Sequence, residues 1–184
     1  MQFTNDIMRQ CRAAAVVVLI GCILPARVAA GAELRTQYTT ITYENENLLR
    51  DFNHAISLGS LSYLLLGRKS LTSDDEIRNK VDVLVDRIQT VLDMRPKELK
   101  FRIALLATSS DVRKTYRAKY GSNADFIAFY SKGDKTVYVS VDDIRLGVLS
   151  HELAHVVIDH YFGVAPPVKI HEVLAQFVEE HLKD

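Results

Sequence analysis

Cysteine is nearly absent from this chain of 184 residues, and its two copies, Cys11 and Cys22, both lie near the amino terminus. The rest of the chain therefore has no disulfide framework, and its stability must come from a hydrophobic core. The charge is balanced, with 23 basic and 23 acidic residues, so there is no basic field of the kind that nucleic acid binding requires. Internal repeats and low-complexity tracts are also missing from the sequence.

The amino terminus has the pattern of a secretory leader. Two arginines precede the apolar run 13–24, and small residues follow as far as Ala32. The apolar run is short for a membrane span, so residues 1–32 are predicted to be a signal peptide that is removed. A lipobox-like sequence ending at Cys22 leaves a lipid anchor as the minority alternative. We expect a secreted or periplasmic protein of a bacterial cell envelope, without a transmembrane domain in the mature chain.

The most informative segment runs from His151 to His155 and reads H-E-x-x-H. Residues four apart are neighbours on one face of a helix, so these two imidazoles can point at a single metal ion. Glu152 lies about 100° further around the helix, beside the metal position, where a general base for a metal-activated water has to sit. The segment therefore predicts a catalytic zinc site.

An ordinary alternative for this motif is a pair of core histidines with no metal. The predicted helix, residues 143–162, is apolar nearly all round, which is typical of a buried helix. Two imidazoles, Glu152 and Asp159 on one stripe of such a helix would be costly to bury unpaired. Because a metal ion removes this cost, the sequence favours the zinc site.

A second predicted helix, residues 168–179, offers the third ligand. Glu172 lies far enough beyond the first helix for an antiparallel return that brings its carboxylate to the metal. His171 is a rival ligand, because it is adjacent and chemically suitable. The alternative for this part of the helix is a solvated face, since Glu172 shares its side with Ala175, Gln176 and Glu179, opposite an apolar stripe of Ile170, Leu174 and Phe177.

Together the segments HELAHVVIDHYFG and HEVLAQFVEE resemble the gluzincin zinc metallopeptidases, in particular the small peptidase MA-like, or minigluzincin, type. The resemblance covers roughly residues 97–184. It implies one Zn²⁺ per chain, held by His151, His155 and Glu172, with Glu152 as the catalytic base. The implied reaction is hydrolysis of a peptide bond by a zinc-bound water, in which Glu152 takes the proton and passes it to the leaving amine. The partner would be a peptide or protein substrate, and we expect a monomer.

The resemblance extends to supporting residues, with two departures. It implies that Asp159 orients a ligand imidazole and that the small Ala175 lets the two helices pack closely. However, Val173 replaces the usual glycine, and Gln176 stands where thermolysin-like enzymes place an aspartate. These departures keep open a second function, that of a catalytically inactive envelope protein that uses the metal-site cleft to bind a partner.

The predicted fold class is α+β, with a small, mostly antiparallel sheet packed on the H-E-x-x-H helix and the following glutamate helix. Two amino-terminal helices are predicted at 44–66 and 73–94. They form a region, residues 33–96, that is either structural or an inhibitory pro-segment, and residues 97–184 form the metallopeptidase-like domain.

Three strands are predicted around the site, at 101–107, 126–131 and 136–141. The last two flank a turn sequence and form a hairpin. Strand 136–141 is the candidate edge strand for holding an extended peptide by backbone hydrogen bonds, and its alternative is an ordinary interior strand. Tyr130 and Tyr138 are candidate donors to the developing oxyanion.

Overall fold

The computed structural model describes residues 31–183, and this part of the chain forms one unit. The predicted leader, including Cys22, lies outside the described residues except for Gly31 and Ala32. Within the described range, none of the helices combines the length and the apolar character needed to cross a membrane.

The described residues form five strands and five α-helices, and two short 3₁₀ helices, Gly59–Leu65 and Lys132–Asp134, lie among them. In chain order the elements are β1 (Ala32–Arg35), β2 (Thr39–Tyr43), α1 (Glu46–Ala55), α2 (Ser73–Leu92), β3 (Phe101–Leu106), α3 (Ser109–Tyr120), β4 (Ala128–Ser131), β5 (Thr136–Ser140), α4 (Leu146–Tyr161) and α5 (Val168–His181).

The α+β class is confirmed, but the sheet is mixed, so the prediction of a mostly antiparallel sheet is wrong. The strand order is β1-β2-β3-β5-β4, in which β2, β3 and β5 run parallel. An antiparallel hairpin at each side adds β1 and β4 as the edge strands. The parallel pairs arise because helices carry the chain back across the sheet, α1 and α2 before β3, and α3 before the β4–β5 hairpin.

The hairpin formed by β1 and β2 is the part of the sheet that the sequence did not predict. In β2 the buried side chains of Thr39, Ile41 and Tyr43 alternate with less buried neighbours, as a strand with one face on the core requires. The turn of the hairpin is tied to α2, because the Gln37 N–H donates to both carboxylate oxygens of the buried Asp82 at 3.1 Å. Residues 33–96 are therefore part of the same sheet as the site.

The long amino-terminal helix predicted at 44–66 is interrupted. α1 ends at Ala55, and Ile56 takes a non-helical conformation with φ −89° and ψ 60°. Gly59 then adopts a positive φ of 54°, which glycine accepts without steric cost, before the chain continues as a 3₁₀ helix. The apolar periodicity of this segment survives the break, which is why the sequence pattern alone does not reveal it.

The hydrophobic core lies between the sheet, α2 and α4. The central strands β3 and β5 contribute Ile103, Val137 and Val139, each with no exposed surface. α4 contacts α2, β4 and β5, so the helix that carries the H-E-x-x-H motif is held from several sides. The large apolar side chains that are at most 1% exposed are Leu149, Leu153, Val156, Val157 and Ile158 in α4, and Ile77, Val81, Leu84, Val85 and Ile88 in α2.

A chain that begins at Lys97 tests whether the amino-terminal region is integral to the fold. This truncation removes β1, β2, α1 and α2, so β3 loses one of its two parallel partners and α4 loses its contact with α2. We expect residues 97–184 to show no cooperative thermal unfolding by circular dichroism, whereas residues 31–184 unfold in one transition. A native-like, cooperatively folded 97–184 would show instead that residues 31–96 are a dispensable segment.

Candidate metal centre

The centre of α4 presents two imidazoles side by side. His151 and His155 have ring centroids 4.8 Å apart, and their Nε2 atoms are separated by 3.2 Å. This proximity follows directly from the helical spacing of four residues. Both rings line a cleft of about 430 Å³ that opens between β4, α4 and α5.

α5 brings a carboxylate to the same point. It runs antiparallel to α4, since Glu179 near its end lies beside Gly147 at the start of α4. The two Glu172 oxygens then face the histidines: Oε2 lies 3.5 Å from His151 Nε2, and Oε1 lies 3.5 Å from His155 Nε2. The three predicted metal ligands are thus gathered in one place, with their donor atoms directed inward.

The spacing of these donor atoms fits a zinc ion. Ligand atoms about 2.0–2.1 Å from a tetrahedral zinc lie about 3.4 Å from one another. The two Nε2 atoms are 3.2 Å apart, and each lies 3.5 Å from a different Glu172 oxygen; with one donor atom per residue, all three atoms lie within 4.8 Å of one another. The Glu172 side chain is 56% exposed and lines the cleft together with both histidines, so these donor groups are accessible from the cleft. Two imidazoles and one carboxylate are also a donor set that zinc accepts.

His171, the rival ligand, lies behind His155 rather than beside the other donors. Its Nδ1 is 2.7 Å from His155 Nδ1, the ring nitrogen opposite the one that faces Glu172, and the two rings stack with centroids 4.9 Å apart. A hydrogen bond to that nitrogen fixes the orientation of the His155 ring. His171 is therefore placed to orient the candidate metal ligand His155.

Asp159 has partners other than the predicted ligand imidazole. Its carboxylate accepts a hydrogen bond from the Tyr130 hydroxyl at 3.0 Å and forms an ion pair with Lys132. The Asp159 side chain is only 7% exposed, and its charge opposes the effect of burial, which lowers the pKa of His171. Asp159 thus acts on the wall of the cleft and on His171, and the predicted direct bond to a metal ligand is replaced by these contacts.

Glu152 lies beside the two histidines with its carboxylate against β4. Its Oε2 accepts a hydrogen bond of 2.8 Å from the backbone N–H of Tyr130. Burial raises the pKa of Glu152 from 4.5 to about 7, a change that Glu172 reinforces and the Tyr130 N–H opposes. A general base works best when its pKa lies near the operating pH, so this environment suits proton transfer near neutrality.

Burial has the opposite effect on the neighbouring imidazole. It lowers the pKa of His155 to about 3, and the adjacent His151 and His171 contribute in the same direction. His155 is therefore neutral at any physiological pH. A neutral imidazole has the free lone pair that metal binding needs.

The edge strand beside the site is β4, so the prediction that strand 136–141 forms this edge is wrong. β5 is an interior strand with β3 on one side and β4 on the other. The predicted hairpin of β4 and β5 is confirmed, but its first strand forms the edge because β5 inserts between β4 and β3. Tyr130 on β4 directs its N–H away from β5 and towards Glu152, so the outer edge of β4 faces α4.

Of the two tyrosines considered as oxyanion donors, only Tyr130 lines the cleft. The Tyr138 hydroxyl donates to Asp134 at 2.7 Å instead, outside the cleft lining. Tyr116, Phe126 and Phe129 form an aromatic wall, with centroids of Tyr116 5.1 Å from each of the other two. Among the described residues, those that line the cleft all fall between 116 and 172, so none of region 33–96 covers it.

The apolar stripe predicted on α5 is not its buried face, whereas Ala175, to which the resemblance assigned close packing of the two helices, is buried. Ala175 and Val178 are fully buried, whereas Ile170 and Phe177 of the predicted apolar stripe are 49% and 43% exposed. The helix therefore turns its small and acidic residues towards the histidines. Glu179, to which the sequence pattern assigned no role, consequently lies close to His151, with its Oε2 3.5 Å from His151 Nδ1.

No protein-family model, curated protein or solved structure matches this chain. The resemblance to gluzincins consequently rests on the two sequence segments alone. The positions of the donor atoms of His151, His155 and Glu172 are what indicates a metal centre.

Replacement of Glu152 by Gln in the presence of a chelator tests the buried carboxyl group. The folded chain keeps the Glu152 proton up to about pH 7, whereas the unfolded chain releases it near pH 4.5. The bound proton of Glu152 therefore contributes about 3 kcal/mol to the free energy of unfolding below pH 4.5. This contribution is lost as the pH rises to 7. Because Glu152→Gln lacks this loss, its free energy of unfolding should gain on that of the wild type across the same range.

Urea denaturation of both chains at pH 4, 6 and 8 measures this difference. Contributions from the histidines affect both chains and cancel in the comparison. A difference that stays constant from pH 4 to pH 8 would show that the Glu152 carboxyl group is not buried.

Proposed function

We propose that this protein is an exported zinc-dependent peptidase of gluzincin type. The proposal is carried by the convergence of His151 Nε2, His155 Nε2 and the Glu172 carboxylate at separations of 3.2–3.5 Å. A purely structural zinc site needs no base beside it, whereas here Glu152 is buried next to the donor atoms and opens onto the same cleft. The leader predicted at residues 1–32 supports export.

A bound zinc ion would lower the pKa of a water molecule and polarise the carbonyl group of the scissile bond. Glu152 is the group of this chain that accepts the proton of that water and later donates it to the leaving amine. The Tyr130 N–H, 2.8 Å from Oε2, holds the Glu152 carboxylate in one orientation during both transfers. A pKa near 7 allows the carboxyl group to take up and release the proton without a large energetic penalty.

The Tyr130 side chain is the candidate donor to the developing oxyanion. Its hydroxyl lies in the cleft and is oriented by Asp159 at 3.0 Å. Burial and the charge of Asp159 raise the pKa of Tyr130, so the phenol keeps its proton at neutral pH. The phenol has one proton, which it donates to Asp159 in this structure, so it can donate to negative charge at the scissile carbonyl once the O–H turns towards that oxygen.

The outer edge of β4 supports binding of an extended peptide. Backbone groups two residues apart in a strand face the same side, so Ala128 presents its backbone to the cleft in the same direction as Tyr130. Since Glu152 occupies the Tyr130 N–H, an extended peptide would pair with the backbone of Ala128 and lie along the cleft beside the donor atoms. The aromatic wall of Tyr116, Phe126 and Phe129 offers apolar contact for a substrate side chain.

Elemental analysis of residues 33–184 tests the metal centre. We expect about one zinc per chain in the wild type, and loss or severe weakening of binding in Glu172→Ala prepared in the same way, because the third ligand is removed. Zinc fully retained by Glu172→Ala would assign the third ligand to His171 or another residue. A wild type that takes up no zinc even after loading would contradict the proposal.

Replacement of Glu152 by Gln tests the catalytic role separately from the metal. We expect hydrolysis of a mixed peptide library to fall by about 10²- to 10⁴-fold, while zinc content stays at the wild-type level. Glu180→Gln is the matched control, since it removes one exposed carboxylate of α5 and should leave activity unchanged. A zinc-loaded wild type that hydrolyses no peptide would favour the partner-binding envelope protein over the enzyme.

A further inference from the structure

His151 meets a second carboxylate on the side away from the metal position. Its Nε2 faces Glu172, and its Nδ1 lies 3.5 Å from Glu179 Oε2. This separation is at the outer limit of a hydrogen bond and within the range of a charge contact. A carboxylate there favours the tautomer with the proton on Nδ1, which leaves the Nε2 lone pair free.

Gly147 provides the space for this carboxylate. It lies one helical turn before His151 in α4, and a Cβ atom built on it would be 3.1 Å from Glu179 Oε1 and 3.5 Å from its Cγ. Gly147 is the second residue of α4, and the Glu179 carboxylate lies close to the space that its missing side chain leaves.

Gln176, where the resemblance implies a side chain that supports a ligand histidine, does not support His151. Gln176 is exposed, and α5 instead turns Glu179, three residues further on, towards α4. The support for His151 has thus moved by about one helical turn along α5. Glu172 and Glu179 therefore both lie next to the His151 imidazole, Glu172 at Nε2 and Glu179 at Nδ1.

We propose that Glu179 is a positioning residue that orients His151 for metal binding, and that Gly147 leaves the space in which the Glu179 carboxylate lies. The inference rests on the proposed zinc site. It assigns a role to two residues that touch neither the substrate nor the metal position, and it pairs each histidine with its own partner on α5: Glu179 behind His151 and His171 behind His155.

The test compares zinc affinity in four full-length chains by competition with a chromophoric chelator. Glu179→Met, which keeps the side-chain length without the charge, should bind zinc about 10- to 100-fold more weakly than the wild type. Gly147→Ala should weaken binding in the same direction, although it removes no polar group and improves helix propensity. The control Glu180→Met removes an exposed carboxylate from the same turn of α5 and should bind as the wild type does.

A second measurement reads the orientation of His151 without metal. Nitrogen-15 NMR of the zinc-free chains reports which ring nitrogen carries the proton. Because Glu172 lies as close to Nε2 as Glu179 does to Nδ1, we expect the fraction of the Nδ1–H tautomer of His151 to fall from the wild type to Glu179→Met. It should recover in part in Glu179→Gln, whose amide oxygen still accepts a hydrogen bond. Thermal unfolding of the zinc-free chains confirms that each variant is folded.

The outcomes separate this inference from the proposed function. Zinc bound equally well by the wild type and Glu179→Met, with the same His151 tautomer, would overturn the inference and leave the zinc site standing. Loss of zinc in Glu179→Met as complete as in Glu172→Ala would make Glu179 a ligand and also overturn it. A wild type without zinc would overturn the proposed function, and the tautomer measurement would then decide the role of Glu179.

Discussion

Antiparallel packing of α5 against α4 is the constraint on which the site depends, because each helix alone carries only part of the donor set. Ala175 and Val178 are buried at this interface. The far end of α5 is tied to α2, since the Arg87 guanidinium donates to the Leu182 carbonyl at 2.9 Å. A small rotation of α5 about its axis would move Glu172 away from both imidazoles, so the packing of small side chains also sets the geometry of the metal centre.

Burial shifts the pKa values of the Glu152 carboxyl group and the His155 imidazole in opposite directions. It favours the neutral form of both, and so raises the pKa of Glu152 and lowers that of His155. A divalent cation also favours neutral imidazoles but attracts ionised carboxylates. Metal binding and burial therefore act together on the histidines and against each other on Glu152, which is how a carboxyl group can be held ready to exchange a proton near neutral pH.

The sheet contributes the other wall of the cleft through its topology. Three parallel strands, β2, β3 and β5, are flanked by the antiparallel edge strands β1 and β4. The outer edge of β4 is the edge that meets α4. Because β1 and β2 belong to the same sheet, the amino-terminal region supports the strands from which the site is built. The amino-terminal strands and the strand that lines the cleft thus belong to one sheet, and the candidate site lies at its β4 edge.

Local sequence was sufficient to predict the helix of the H-E-x-x-H motif and the β4–β5 hairpin, since these follow from helical periodicity and turn chemistry. Glu172 as the third ligand rested on the resemblance, with His171 as the alternative, and stays a prediction. Strand order was not accessible in this way, because β5 reaches its interior position only through pairing with β3, more than thirty residues away in sequence. The rotation of α5, and with it the partners His171 and Glu179, also depended on the tertiary structure. Periodicity identifies the faces of a helix, but only long-range packing decides which face is buried.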